Sequence, residues 1–242
     1  MPHCAKLAAN LHALSIANNP DPRTPIPLKI HPSFEECANL DLADFAYAAA
    51  LSYAEGISGL LKGRFSWSMV KLYYSCFYSM MFNLIDDDVV PFYNKSQLIC
   101  DSRTGNLKNG GRSSHQWHWN SIRNIKRLSK WVYSLESEDT YSKIRALREE
   151  ANYKSAFSDP ERPKWLTFAI DNIERSFRVY RDDKEKLYTY LDDHFPLAYP
   201  TQLIFDLEGQ IKARNIRFDA NKLSHIRRMW PIRDRPPLEG FH

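Results

Sequence analysis

From residue 41 the chain reads DLADFAYAAALSYAEGISGLL to Leu61, rich in Ala and Leu and free of proline. Ala and Leu lose little rotamer freedom in a helix, so the stretch predicts one. Asp41 and Asp44 stand where the positive end of a helix dipole favours acids. Lys62-Gly63-Arg64 closes the segment, Gly63 suiting the left-handed position past a helix end. A second helix is predicted from Ser66 to about Ile85, where Met69, Val70, Tyr73, Tyr74, Phe77, Met80, Met81 and Leu84 recur at three- and four-residue steps. The turn between the two is short, which makes them antiparallel neighbours. Of the Tyr73-Tyr74 pair, one ring is expected in the core and the other about 100° around the helix.

Punctuation then replaces periodicity. Asp86-Asp87-Asp88, Pro91, Gly105 and Asn109-Gly110-Gly111 mark a loop of about 26 residues, with the acidic triplet read as a solvated helix end. A third bundle helix starts near Ser113 or Ser114, both suitable N-caps. Trp117, Ile122, Ile125, Leu128 and Val132 form its apolar stripe; Arg123, Lys126, Arg127 and Lys130 form a basic face. A fourth runs from about Thr140 to Tyr153 on Tyr141, Ile144, Leu147 and Ala151, and Ser158-Asp159-Pro160 ends it. A fifth opens at Pro163, carries Trp165, Ala169, Ile173, Phe177 and Tyr180, and continues to Asp193.

Upstream, a short helix is expected from about Ala5 to Ala17, ended by the prolines at 20, 22, 25 and 27. Downstream, residues 201–214 form one candidate helix, and Asp219 caps another to about Met229. No segment shows convincing strand alternation. The expected fold is therefore all-α: an up-and-down bundle of about five helices over 41–193, with no sheet larger than a hairpin. Residues 1–40 are read as an N-terminal extension and 194–242 as a basic C-terminal appendage.

Composition narrows the function. Hydrophobic residues make up 43% of the 242 and charged residues 26%, which excludes global disorder, collagen and coiled coil. Eight glycines supply no phosphate-cradling loop. No apolar run approaches the roughly 20 residues of a membrane helix, and the N-terminus lacks a signal-peptide core. A cytoplasmic protein with no membrane partner is expected. Cys4, Cys37, Cys76 and Cys100 form no C-x-x-C pair and have no His cluster at zinc spacing, so neither a metal nor a cofactor is expected. Net charge is only +4, but between Ile211 and Arg235 eight Lys/Arg face two acids, a local +6. Within that stretch Arg214, Arg217, Arg227 and Arg228 join Arg123, Lys126 and Arg127 as candidate phosphate-backbone contacts.

Two stretches carry a resemblance. One is FSWSMVKLYYSCFYSMMFNL at 65–84, with its paired tyrosines. The other has His115 opening the third helix and LREEANYKSAF at 147–157 closing the fourth, followed by Asp159-Pro160-Glu161. In order and spacing these resemble the HEPN superfamily of small helical bundles over about residues 42–182, in particular a subfamily with a helix-three His and an Arg-x-x-Ala-Asp-Tyr sequence. Arg148, Ala151, Asn152 and Tyr153 fall on that sequence, Asn152 standing where the family usually has Asp. The Arg and His with four to six residues between them, typical of catalytic HEPN ribonucleases on the late helix, are absent there. Arg112 and His118 reproduce the spacing at the start of the third helix instead.

The resemblance implies an RNA-directed protein of a prokaryotic defence or toxin–antitoxin system, either a metal-independent endoribonuclease or a non-catalytic interaction subunit of a larger complex. A homodimer, or a hetero-complex with a defence or antitoxin partner, goes with it. The chemistry suits the residues. Metal-independent cleavage must activate a ribose 2′-OH and protonate the departing 5′-oxygen, and His titrates near neutrality. Arg stays charged and presents a fork to phosphate. His115, Arg148 and Asn152 form one candidate site, Arg112 and His118 the alternative. Against both stands a bracing role, Arg148 and Asn152 lying one helical turn apart. Trp117 and Trp119, flanking His118, are either base-stacking platforms or packing anchors.

Overall fold

A computed structural model of the chain describes residues 1–18, 27–110, 119, 125, 128–154 and 171–241. These residues are mostly helical, with one small sheet. They divide into two units, Met1–Phe45 with Met80–Tyr133, and Ala46–Ser79 with Ser134–His242.

In the first unit α1 (His3–Asn18) packs on the first strand of the sheet, the His12 imidazole edge-on to Phe92 at 5.9 Å. Helix α2 (Phe34–Leu61) begins at Phe34, not at Asp41. Asp41 is buried within it, and its carboxylate accepts from the backbone N–H of His3 (2.7 Å) and Cys4 (2.8 Å). The acid does complement a helix N-terminus, but that of α1 rather than its own.

Residues 86–110 are not a loop. After α3 (Phe65–Asp86), β1 (Val89–Asn94), β2 (Ser96–Asp101) and β3 (Leu107–Asn109) make an antiparallel meander in the order β1-β2-β3. Phe92 pairs with Leu98 and Val90 with Cys100. The fold is thus predominantly helical but not all-α, and its sheet exceeds a hairpin. Pro91 is accommodated because β1 is an edge strand, where a missing N–H breaks no ladder on the open side. Lys95 (φ 57°) and Gly105 (φ 74°) make the turns in left-handed conformations.

The acidic triplet is not a solvated helix end either. Asp88, 5% exposed with φ 63°, follows α3 directly. Its carboxylate accepts from Lys29 Nζ (2.8 and 2.9 Å) and Arg103 Nε (2.5 Å), and its carbonyl accepts from the N–H and hydroxyl of Ser102. Asp86 and Asp87 hold Lys130, and the Tyr133 hydroxyl donates to Asp87. Burial pushes the Asp88 carboxyl up, but its bonds to Lys29 and Arg103 outweigh that and leave it below its ordinary value.

In the second unit α2 and α3 approach closely. Gly63 (φ 72°) ends α2, its N–H on Leu60 O and that of Arg64 on Gly59 O, the two bonds of a Schellman stop. A Cβ at Gly56 would meet Leu72 Cγ and Cδ2 at 2.9 Å, and Leu72 is fully buried. Gly56→Ala is therefore expected to lower stability by about 1–3 kcal/mol through overpacking, despite alanine's better helix propensity. Chemical denaturation checks this, and Leu72→Ala in the same chain should recover part of the loss.

The remaining helices are α4 (Leu135–Glu149), α5 (Ile173–Asp182), α6 (Phe195–Arg214) and α7 (Ala220–Met229). α4 starts earlier than Thr140 because Ser134, in the extended region, accepts from Ser137 N–H. α5 stops at Asp182 rather than Asp193; Gln202 donates to the carbonyls of Tyr180 and Asp183 near its end. Ile173, Phe177 and Tyr180 are buried, as their spacing required. Asp219 caps α7 by accepting from Asn221 and Lys222 N–H.

Residues 195–214, within the stretch expected as an appendage, form a largely buried helix of this unit. Leu197, Ala198, Tyr199, Leu203, Leu207 and Ile211 are all at or below 2% exposure. The Tyr199 hydroxyl bonds Ser137 Oγ on α4 (2.7 Å), and the Tyr53 hydroxyl on α2 bonds Thr201 Oγ1 (2.6 Å). Among the described residues no helix is long and apolar enough to cross a membrane.

Candidate functional site

The site grows out of α4. Ser137, Tyr141 and Ile144 are buried, and Arg148 continues the same face at i+11, i+7 and i+4. That face meets α3, whose Tyr73 is fully buried while Tyr74 is half-buried, so one ring of the pair faces the core and its neighbour the rim. The Arg148 guanidinium lies over both rings, 5.5 Å from the Tyr73 centroid and 5.9 Å from that of Tyr74. The two rings meet edge to face at 5.3 Å; Tyr74 stacks on Tyr78 and Tyr73 on Phe77.

The Tyr141 hydroxyl donates to that of Tyr73 (3.1 Å). Burial pushes the Tyr73 phenol up to about 12, against the opposing pull of this bond and of the Arg148 charge. Tyr141 is driven well above its ordinary range, again by burial. Both phenols are neutral at physiological pH. They are neither bases nor nucleophiles there; their work is to present π faces and fix the guanidinium.

Helix α4 ends in a π-turn, Glu150–Lys154, that carries Ala151 and Asn152. Single π-turns widen the helix and recur at functional positions. Arg148 and Asn152 thus sit on either side of a change in helical pitch. Arg148 braces onto the tyrosine pair of α3, a partner that sequence reasoning did not name for it. The pattern Tyr73-Tyr74 with Tyr141 and Arg148 at i+7 was the available signal.

His115, Arg112 and His118 lie outside the described residues, as do Arg123, Lys126, Arg127 and Trp117. Trp119 is buried. Arg214, Arg217, Arg227 and Arg228 are all exposed. Arg227 is ion-paired with Glu239, and Arg235 with Glu208 at 2.7 Å, so the C-terminal acids neutralise part of the local basic excess. Lys222 lies over the Tyr47 ring at 5.3 Å, and the Tyr47 hydroxyl bonds His225 Nδ1 at 2.8 Å. The four cysteines are free thiols, and among the described residues no three His, Cys, Asp or Glu side chains gather to hold a metal. Comparisons with protein-family models, curated proteins and solved structures return no match.

Proposed function

We propose that the chain is an HEPN-like protein of a prokaryotic defence or toxin–antitoxin system that engages RNA, with Arg148 as its phosphate anchor. The observation that carries this reading is the guanidinium of Arg148 held over Tyr73 and Tyr74 where α4 passes into its π-turn. A guanidinium held on two aromatic faces is fixed in place, and a preorganised charged donor is what phosphoryl chemistry in a protein site requires. His115 would take and return the proton, and Asn152 would hydrogen-bond the substrate. In this reading the protein works as a homodimer or with a defence partner. Purified protein incubated with labelled transfer and messenger RNA, with and without EDTA, tests it. Cleavage that survives EDTA supports a metal-independent ribonuclease.

A second reading is a non-catalytic interaction subunit that retains the helical frame. It is favoured by the same contact, since stacking on Tyr73 and Tyr74 is a sufficient structural use of Arg148, and by the lack of a His anywhere on α4. RNA binding without cleavage is its expected outcome.

The exposed arginines Arg214, Arg217 and Arg228 are assigned to the phosphate backbone. Deleting the region would be a poor test, because Ile211, Ile226 and Leu238 are buried. Glutamate substitutions are the cleaner probe. Arg214→Glu, Arg217→Glu and Arg228→Glu should each weaken RNA binding and reduce the slope of log K against log salt by about 1. Fluorescence anisotropy across a salt series measures this. An unchanged slope would assign the basic surface to an acidic protein partner instead.

A further inference from the structure

Between α5, α6 and the segment after α7, the second unit forms an open cavity of about 260 Å³. We infer that this cavity is a binding site for a small aromatic oxyanion, an aryl phosphate or carboxylate. The inference is separate from the Arg148 reading and uses none of its residues.

The floor is apolar. Ile204 and Phe177 are buried, and the Phe205 ring, half-buried, tilts against Phe177 at 5.4 Å. Pro237 completes the apolar lining. An aromatic body fits against such rings by offset or edge packing. The mouth carries two arginines, Arg181 with 40% and Arg235 with 53% of the side chain exposed.

Two carboxylates share the mouth, and they might suggest a cationic guest were their oxygens not engaged. Asp234 Oδ1 accepts from Arg235 N–H (2.8 Å) and Oδ2 from Arg181 Nη1 (3.1 Å). Glu208 Oε1 accepts from Leu238 N–H (2.8 Å) and Oε2 from Arg235 Nη2 (2.7 Å). All four carboxylate oxygens hold a donor of the protein. Among the described residues each guanidinium, by contrast, uses two of its five N–H groups: Arg181 on Asp182 and Asp234, Arg235 on Glu208 and the Glu239 carbonyl. The surplus at the mouth is of charged donors, and an oxyanion is the group that uses it. The acids fix the two forks in place; the ligand meets what remains of them.

The segment supplying this wall is itself well anchored. Leu238 is fully buried, the Trp230 indole donates to the Asp234 carbonyl (2.8 Å), and Phe218 N–H bonds Phe241 O (2.9 Å). The cavity is therefore preformed.

Isothermal titration of the full chain with phenyl phosphate, benzoate, inorganic phosphate and phenol tests the inference. Phenyl phosphate or benzoate should bind saturably, about tenfold or more tighter than inorganic phosphate or phenol, because only they reach both the arginines and the rings. The tighter of the two identifies the head group. Arg181→Gln should weaken binding about tenfold, and Phe205→Ala should do the same from the other end of the ligand, with melting temperature recorded for both. Absence of saturable binding by either aromatic oxyanion would overturn the site. So would inorganic phosphate binding as tightly as phenyl phosphate, or Arg181→Gln and Phe205→Ala both leaving the affinity unchanged while melting as the parent does.

Discussion

On the ribonuclease reading proposed above, Arg148→Ala is expected to lower metal-independent RNA cleavage by about 10²–10³-fold, the usual loss when one preorganised donor to an oxyanion is removed. The fold should survive it. The guanidinium's contact with Tyr73 and Tyr74 is a half-buried cation–π stack worth about 0.5–1 kcal/mol. In a domain of this size that corresponds to about 1–4 °C in melting temperature. His115→Ala should lose about 10²–10⁴-fold, as removal of a general acid–base does. A purely bracing Arg148 has a different signature: melting temperature falls, and whatever activity exists follows it. Arg148→Lys separates the two further. Lysine keeps the charge but loses the planar fork, so it should rescue stability better than rate. Arg112→Ala and His118→Ala are the matching pair for the alternative histidine; if they are inactive while the Arg148 and His115 variants cleave normally, the site is that of Arg112 and His118 instead.

The second large effect concerns stability. Asp88→Ala should destabilise the first unit by about 2–4 kcal/mol, because Lys29 and Arg103 both donate to its carboxylate and a left-handed backbone disfavours alanine. Asp88→Asn tolerates the left-handed backbone and loses only the charge, so it should cost about half as much. The pH dependence has a definite sign. The Asp88 carboxyl is held below its ordinary 3.8, so its contribution is fully present above that value and is lost as pH falls through the folded value. Wild type and Asp88→Asn should therefore converge in acid and separate towards neutrality. Hydrogen exchange on the amides of β1 and β2 reads this locally; equal protection in both proteins at neutral pH would count against the role assigned to Asp88.

What could be read along the chain was what acts within a few residues. The α2–Gly63–α3 turn, the Asp219 cap, the inward Tyr73 beside the half-buried Tyr74, and the stripe Ile173, Phe177, Tyr180 follow from helical period, cap chemistry and the freedom of glycine. The strands were also written locally, in Val89-Val90-Pro91-Phe92 and Leu98-Ile99-Cys100, but Pro91 and the flanking turn residues masked them. A proline is compatible with a strand only at an edge, and being at an edge is a property of the assembled sheet.

The same distinction runs through the charged and buried groups. Asp41 neutralises the start of a helix 37 residues away, and Asp88 draws in Lys29 from 59 residues upstream. α6 carries two prolines and reads as a marginal helix, yet it is buried because α2 and α4 surround it and supply Tyr53 and Ser137 for its hydroxyls. For Arg148, composition and spacing singled out the residue but not its partner; that came from α4 continuing a core-facing stripe one turn beyond the core. Local signals persist because a turn of helix or a cap closes with little loss of chain entropy. Long-range pairs form only after the backbone has closed large loops, so which charges meet and which faces are covered is settled by packing rather than by any neighbouring residue.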